Sequence, residues 1–327
     1  MRHRLESFAR RLWSTQRPPA LLRGLSRLYR YALGSNWQRP AERPACPVIV
    51  VGNLTVGGTG KTPVVMALAR HLLGAGHKPA IISRGYRGKS GRSVRRVEPG
   101  DDPRQVGDEP ALMAASLEVP VWIARRRSLA LQAALEHGAD VVIADDGLQH
   151  RDLPRSFEIV VVDGRRGLGN GCLLPAGPLR GPPERLEQAD RILIKGPRTA
   201  PDLPSGPSFE LRALALVSLA DGSRRPPDSL AGRQVSALCG IGHPDQFASL
   251  LEKLDMRVEL HAFPDHHDYR LSELDGIDGP IVTTAKDAVK LKTLGSLPVA
   301  VEVLEVEAAL PAGLIADLVD HVRKFRP

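Results

Sequence analysis

Residues 51–64, VGNLTVGGTGKTPV, run from an apolar strand through a glycine-rich turn into Lys61-Thr62 and the start of a helical pattern. A phosphate tail needs several N–H donors at close range, and glycines let the backbone approach that tightly. Gly57, Gly58 and Gly60 supply the curvature, and Thr55, Val56 and Thr59 complete the cradle. Lys61 can reach the β- and γ-phosphates, Thr62 can ligate Mg²⁺, and the helix that follows aims its positive end at the anion. Thr55 stands where the general pattern G-x-x-x-x-G-K-[ST] has its first glycine. The stretch predicts a nucleoside triphosphate site; the alternative use of such residues is an ordinary glycine-rich turn.

Working outward, apolar strand candidates at 47–51, 78–83, 119–124, 141–145, 158–163 and 191–195 alternate with helical patterns at 63–74, 109–116 and 127–137. That alternation predicts an α/β fold with a doubly wound, mostly parallel sheet around a P-loop. Residues 197–207 hold four prolines and read as a linker. A second series follows, with strands at 234–240, 257–262, 280–284 and 299–306 and helices at 243–254, 286–294 and 314–324. The expected organisation is a basic segment at 1–35, a nucleotide-binding domain at 36–200 and a second, smaller α/β domain at 208–327.

The chain of 327 residues carries a formal charge of +8, and that excess is local. Between Met1 and Pro44 stand ten Arg and two Glu, so the remainder is near neutral. Such a terminal concentration favours an anionic surface met by one segment over nucleic acid. Leu5, Phe8, Leu12 and Trp13, then Leu21, Leu22, Leu25, Leu28, Tyr29 and Leu33, recur at helical spacing among arginines. Basic amphipathic helices of this kind lie in a membrane interface, or pack their apolar stripe on their own protein's core. Cys46, Cys172 and Cys239 are widely spaced, which fits a reducing compartment. No apolar run reaches spanning length, and no continuous signal-peptide core is evident, so the expected location is cytosolic.

Further chemistry is concentrated in short runs. VVIADDGLQH (141–150) puts Asp145 and Asp146 where an apolar strand ends, the place for an acid beside Mg²⁺ in such a fold, although paired Asp before Gly147 would also make a turn. Gln149 and His150 follow on the same edge as candidates for substrate or nucleotide contact. VGDEPALMA (106–114) presents Asp108 and Glu109 at a helix start, where helix capping is the common use of Asp. SRGYRG (83–88) projects Arg84 and Arg87 from a strand end, as phosphate ligands or as a solvated turn. FPDHHDY (263–269) brings His266 and His267 beside Asp265 and Asp268, suited to proton handling or to a polar surface loop. In TTAKDAVKL (283–291), Asp287 is a candidate helix cap and Lys286 can reach a cleft between the domains.

Taken together and in this order, GNLTVGGTGKTP, SRGYRG, VGDEP, DDGLQHR, GIGHPDQF, FPDHHDY and TTAKDAVK resemble the tetraacyldisaccharide 4′-kinases of lipid A synthesis, across nearly the whole chain. The resemblance implies ATP- and Mg²⁺-dependent phosphorylation of the 4′-hydroxyl of a tetraacylated glucosamine disaccharide 1-phosphate. It implies a peripheral enzyme on the cytosolic face of the inner membrane, with two α/β/α domains joined by a β-ribbon linker and no obligate protein partner. Lys61 and Thr62 match the family's loop, and Asp108 matches its catalytic base, paired with a histidine assigned to His266 with His267 as the fallback. Glu109, Asp145, Asp146, Gln149 and His150 match its metal- and substrate-side cluster. The rival reading is a partner-driven P-loop ATPase or GTPase of the protein-sorting or metal-delivery kind. That class often carries a Lys where Val56 stands, and no N-K-x-D guanine-reading motif is present. A non-catalytic membrane-binding module would need neither Asp108 nor His266.

Overall fold

A computed structural model describes residues 12–13, 15, 17–34, 42–85, 88, 93–150 and 152–326. Most of the first basic segment, with Arg10 and Arg11, and the Arg87 candidate lie outside the described residues.

Helix α1 (Ala20–Leu33) is followed by β1 (Val48–Gly52), α2 (Lys61–Gly74), β2 (Pro79–Ser83), β3 (Arg95–Val97), α3 (Pro103–Val106), α4 (Asp108–Ser116), β4 (Val121–Ile123), α5 (Arg127–Glu136), β5 (Val141–Asp145), β6 (Phe157–Asp163) and β7 (Arg191–Lys195). After residues 197–207, which form no helix or strand, come β8 (Ser208–Ser218), β9 (Arg224–Arg225), β10 (Gln234–Cys239), α6 (Pro244–Glu252), β11 (Arg257–Ala262), β12 (Ile281–Thr284), α7 (Ala285–Leu291), β13 (Val301–Ala309) and α8 (Ala312–Lys324). One hydrogen-bonded path runs β11-β10-β12-β13-β8-β7-β6-β1-β5-β2-β4-β3. Strands β1, β2, β4, β5, β6 and β7 pair in parallel, in keeping with their mostly apolar character where helices cover both faces. Register places Val51 beside Asp145, so the entrance to the glycine-rich loop and the first acid of DDGLQH share one edge.

The predicted strands of both series are present, with ends moved by at most two or three residues. Strand β8 is the main addition. It pairs with β7 in parallel over two residues and with β13 antiparallel over most of its length, so the strand direction reverses there. The second half of the sheet is thus hung on the first by one antiparallel ribbon. Helix α8 crosses back: Leu314, Leu318 and Val322 are buried in the same core as Ile49, Val51, Val65, Leu68 and Ile159. Residues 197–207 lead into β8, which pairs with strands of both halves in one sheet, and this last helix covers the nucleotide-loop half.

Helix α1 has three faces. At about 100° per residue, Leu22, Ser26, Tyr29 and Leu33 fall on one side. Ser26 Oγ donates to Leu173 O (2.8 Å), Tyr29 Oη donates to Arg180 O (3.2 Å), and Tyr29 and Leu33 pack on the core. Leu21, Leu25 and Leu28 form a second apolar stripe, 76%, 43% and 66% exposed, with Tyr31 beside it. Arg23, Arg27 and Arg30 occupy the third. Core packing and an outward apolar stripe are therefore separate features of one helix.

Candidate active site

The loop after β1 is shaped by close packing. A Cβ at Gly52 would meet Leu148 Cγ at 2.5 Å, so only glycine lets the DDGLQH turn lie against this strand end. Gly60 sits at φ +89° as the residue before α2, a conformation that strains any residue with a side chain. Asn53 organises the interior: Nδ2 donates to Thr55 O (2.8 Å) and Oδ1 accepts from Lys61 Nζ (3.2 Å). Val56 N–H donates to Pro178 O at 2.9 Å, so this amide, counted in the cradle from the sequence, is already used.

The two acids at the end of β5 have different surroundings. Asp146, at φ +50°, is gripped by Arg180 through Nη1 to Oδ2 (2.9 Å) and Nη2 to Oδ1 (2.8 Å), and Lys61 Nζ lies 3.7 Å away. Burial alone would raise its pKa, but Lys61 and Arg180 hold it well below the usual carboxylate range. Asp145 is buried, and its Oδ1 has no hydrogen-bond partner among the described residues. Burial first, then the charge of Glu109, push its carboxyl up to about 7 against the pull of Lys61 and Arg127. An orphaned buried carboxylate oxygen with too little positive charge around it fits a divalent cation. Among the described residues no group of three or more His, Cys, Asp or Glu side chains forms a metal cage.

Arg127 is almost wholly buried behind this edge. Its Nη2 donates to Asp145 O (2.8 Å) and Asp146 O (3.1 Å), and its Nη1 meets His150 Nε2 at 2.5 Å. Burial, with Arg127 next, pushes His150 down to about 4, so a neutral ring accepts from the guanidinium. His150 was a candidate for substrate contact; its Nε2 is instead committed to Arg127. Gln149 reaches Arg180, whose Nη1 and Nε lie 3.1 Å from its amide oxygen in the orientation that satisfies both groups. Arg84 is exposed at the end of β2, close enough for its charge to bear on Arg127 and His150.

The second half brings its own cluster. His266 Nδ1 lies 2.9 Å from Asp108 Oδ2, and Lys290 Nζ lies 3.5 Å from the same oxygen. Burial works to raise the Asp108 pKa, but the His266 hydrogen bond and the two lysines Lys290 and Lys286 bring it below the ordinary value. Gly107 occupies the cap position of α4 and Asp108 makes no capping hydrogen bond, so the cap alternative fails. His267 faces away: its Nε2 meets Glu273 at 3.0 and 2.9 Å and its ring stacks on Phe263 at 4.6 Å. His266, not His267, is therefore the partner of Asp108, and its φ of +62° is the backbone turn that separates the two rings. Lys286 Nζ joins Asp265 (3.1 Å), Glu109 (3.9 Å) and His266 Nε2 (3.4 Å), spanning the two halves as anticipated. Thr284, rather than Asp287, caps α7; Asp287 accepts from Thr284 Oγ1 (2.7 Å) and from Gly240 N (3.1 Å).

Arg127, Arg166, Arg180 and Asn53 were not singled out in the sequence. None of the four carries a sequence motif of its own. The assembled cleft can hold a polyphosphate over the loop and present a carboxylate, backed by an imidazole and lysines, to an acceptor hydroxyl.

A family profile described as LpxK, tetraacyldisaccharide-1-P 4′-kinase, matches residues 17–323. A tetraacyldisaccharide 4′-kinase of Alkalilimnicola ehrlichii is 48% identical over 277 residues, 83% of this chain and 81% of that protein. One from Pseudomonas aeruginosa is 44% identical over 303 residues, covering 89% and 91%. The crystal structure of LpxK from Aquifex aeolicus in complex with ATP superposes with a TM-score of 0.73 at 30% identity, covering 91% of this chain and 97% of that one.

Proposed function

Since the chain belongs to the tetraacyldisaccharide-1-P 4′-kinase family, we propose that its cleft divides the labour of that reaction between Lys61, Asp145, Asp108 and His266. The enzyme transfers a phosphoryl group from ATP to the 4′-position of a tetraacylated disaccharide in lipid A synthesis. Such a transfer asks for alignment and charge neutralisation rather than covalent catalysis. Lys61, resting on Asn53 and near Asp146, swings to the transferring phosphate, whose charge outcompetes both. Thr62 and Asp145 would hold Mg²⁺, which would supply charge neutralisation on the phosphate oxygens. Arg180 keeps Asp146 and the loop in register, while Glu109 and Lys286 line the wall between the halves.

Asp108 stays ionised at neutral pH and accepts the proton of the 4′-hydroxyl. A low-pKa carboxylate suffices, because in a loose transition state the hydroxyl becomes acidic only as its bond to phosphorus forms. His266 and Lys290 both engage Oδ2, and Oδ1 takes no hydrogen bond among the described residues, which leaves it to the sugar. The observation that carries this reading is the 2.9 Å contact between His266 Nδ1 and Asp108 Oδ2, made across the two halves. Asp108→Asn should lower kcat by about 10²–10⁴ with ATP affinity within a few-fold. Loss of ATP affinity with kcat retained would assign Asp108 to the nucleotide pocket or the helix instead.

For the acceptor's location, we read α1 as the membrane-facing element. Its outward leucine stripe, bordered by Arg23, Arg27 and Arg30, suits an anionic head-group layer in which a lipid disaccharide is held. No helix among the described residues is long and apolar enough to cross a membrane. A peripheral position on the cytosolic face of the inner membrane follows from this stripe and an ATP-dependent reaction.

A further inference from the structure

GIGHPDQF (residues 240–247) is used by none of the roles above, yet it touches the nucleotide loop. Arg166 stands in the turn after β6, where Asp163 Oδ1 accepts from both Arg165 N (3.0 Å) and Arg166 N (3.2 Å), fixing the backbone to the first half. Its side chain then forks. Nη2 donates to Val56 O in the loop (3.1 Å), and Nη1 meets His243 Nε2, at the start of α6, at 2.8 Å. A guanidinium only donates, so His243 Nε2 is the acceptor and Nδ1 carries the proton. One turn on, Gln246 Oε1 accepts from Lys195 Nζ (2.8 Å), and Lys195 packs so close to Gly60 that a Cβ there would meet its Cδ at 3.0 Å. Just before His243, a Cβ on Gly242 would lie 3.5 Å from Gly58 N and 3.9 Å from Asp265 Oδ2.

The other end of the same turn holds the catalytic histidine. Gly240 O accepts the backbone N–H of His266 (3.1 Å), and Gly240 N donates to Asp287, whose Oδ1 is 3.0 Å from the Lys290 that also faces Asp108. A short path of hydrogen bonds and one turn of backbone thus leads from Val56 O through Arg166, His243 and Gly240 to His266. We propose that Arg166 and His243 are positioning residues for phosphoryl transfer: their contact registers the second half on the nucleotide loop and so sets His266, and through it Asp108, against the phosphate. Arg166 and Lys195 of the first half donate to His243 and Gln246 of the second, and Gln246 Nε2 reaches back to Asp163 Oδ2 at 3.5 Å, so a slip of an ångström or so breaks these directional contacts where apolar packing would tolerate it.

The test is a double-mutant cycle on the full chain, read in kcat for transfer, KM and Kd for ATP, and thermal unfolding. His243→Ala should leave the unfolding temperature and ATP Kd essentially unchanged and lower kcat about tenfold, the scale of one charge-assisted hydrogen bond lost from the transition-state geometry. His243→Gln, whose Oε1 can accept from Arg166, should recover most of that loss. The pair Arg166→Ala/His243→Ala should be no slower than Arg166→Ala alone. Unchanged kcat in His243→Ala, multiplicative losses in the pair, or Gln no better than Ala would each overturn the proposal. It rests on the reading of Asp108 and His266 given above, and the two fail separately. An enzyme indifferent to Asp108→Asn sinks that reading, whereas one that needs Asp108 but ignores His243→Ala sinks only this one.

Discussion

The outward stripe of α1 allows a quantitative prediction. Burying a leucine side chain fully is worth about 2 kcal/mol, and Leu21, Leu25 and Leu28 are 76%, 43% and 66% exposed. Together they retain roughly 3–4 kcal/mol of transfer free energy, of which a shallow interfacial position realises about half. Replacing the three with glutamine, which keeps helix propensity, should therefore weaken partitioning into vesicles containing anionic lipid by about 20-fold. Sedimentation with vesicles reads this directly, and a lipid titration gives the partition coefficient. Because the buried seam of α1 runs through Ser26 and Tyr29 on another face, thermal unfolding should move by no more than a degree or two. The apparent KM for lipid acceptor presented in vesicles should rise, while kcat on detergent-dispersed acceptor should hold. A partition coefficient within threefold of the parent would refute the membrane reading of the stripe, as would a large drop in unfolding temperature.

Lys61→Ala should nearly abolish phosphoryl transfer with the fold intact, since a point charge at the transferring phosphate is lost; activity within a few-fold of the parent would remove the loop assignment. Asp145→Asn should raise the Mg²⁺ concentration for half-maximal activity by roughly tenfold or more, whereas Asp146→Asn, which frees Arg180 and Lys61, should weaken ATP binding and lower stability at an unchanged Mg²⁺ requirement. Titrating Mg²⁺ against both variants separates the two acids. The depressed value of His150 predicts a pH effect on stability. As pH falls from 6.5 toward 4 the unfolded chain takes up a proton that the folded ring refuses, so stability is lost across that window. Urea midpoints measured from pH 7 to 5 should fall less steeply in His150→Gln than in the parent.

What could be read in the sequence was local. Strands β1, β2, β5 and β6 are mostly apolar runs, and the loop and DDGLQH sit at the ends of β1 and β5, so the nucleotide edge follows from adjacent residues alone. Strand β8 was hidden because SFELRALALVS follows a proline-rich stretch, and the ribbon it forms needs β13, which lies some 80 residues further on. Arginines 127, 166 and 180 carry no local signature. Each acts on backbone or side chains 18 to more than 100 residues away, and becomes legible only once the sheet brings strand ends together. The choice between His266 and His267 depended on a backbone angle and on an aromatic stack with Phe263, neither of which adjacent identical residues can announce.

Helix α8 has a consequence for how the protein comes into being. Leu314, Leu318 and Val322 complete the core beneath β1 and α2, yet they come after every strand of the sheet in the order of synthesis. The phosphate-binding half, made first, waits with one face of its core uncovered until every strand of the other half has been synthesised. Folding by completed units from the N-terminus, the common route for multidomain chains, is closed to it. A nascent or truncated chain ending at the linker would carry the full glycine-rich loop on an unfinished core, and would be a target for chaperones before it was an ATP-binding protein. Synthesis thus links possession of the nucleotide site to possession of the segment that carries His266, so the chain finishes both in the same folding event.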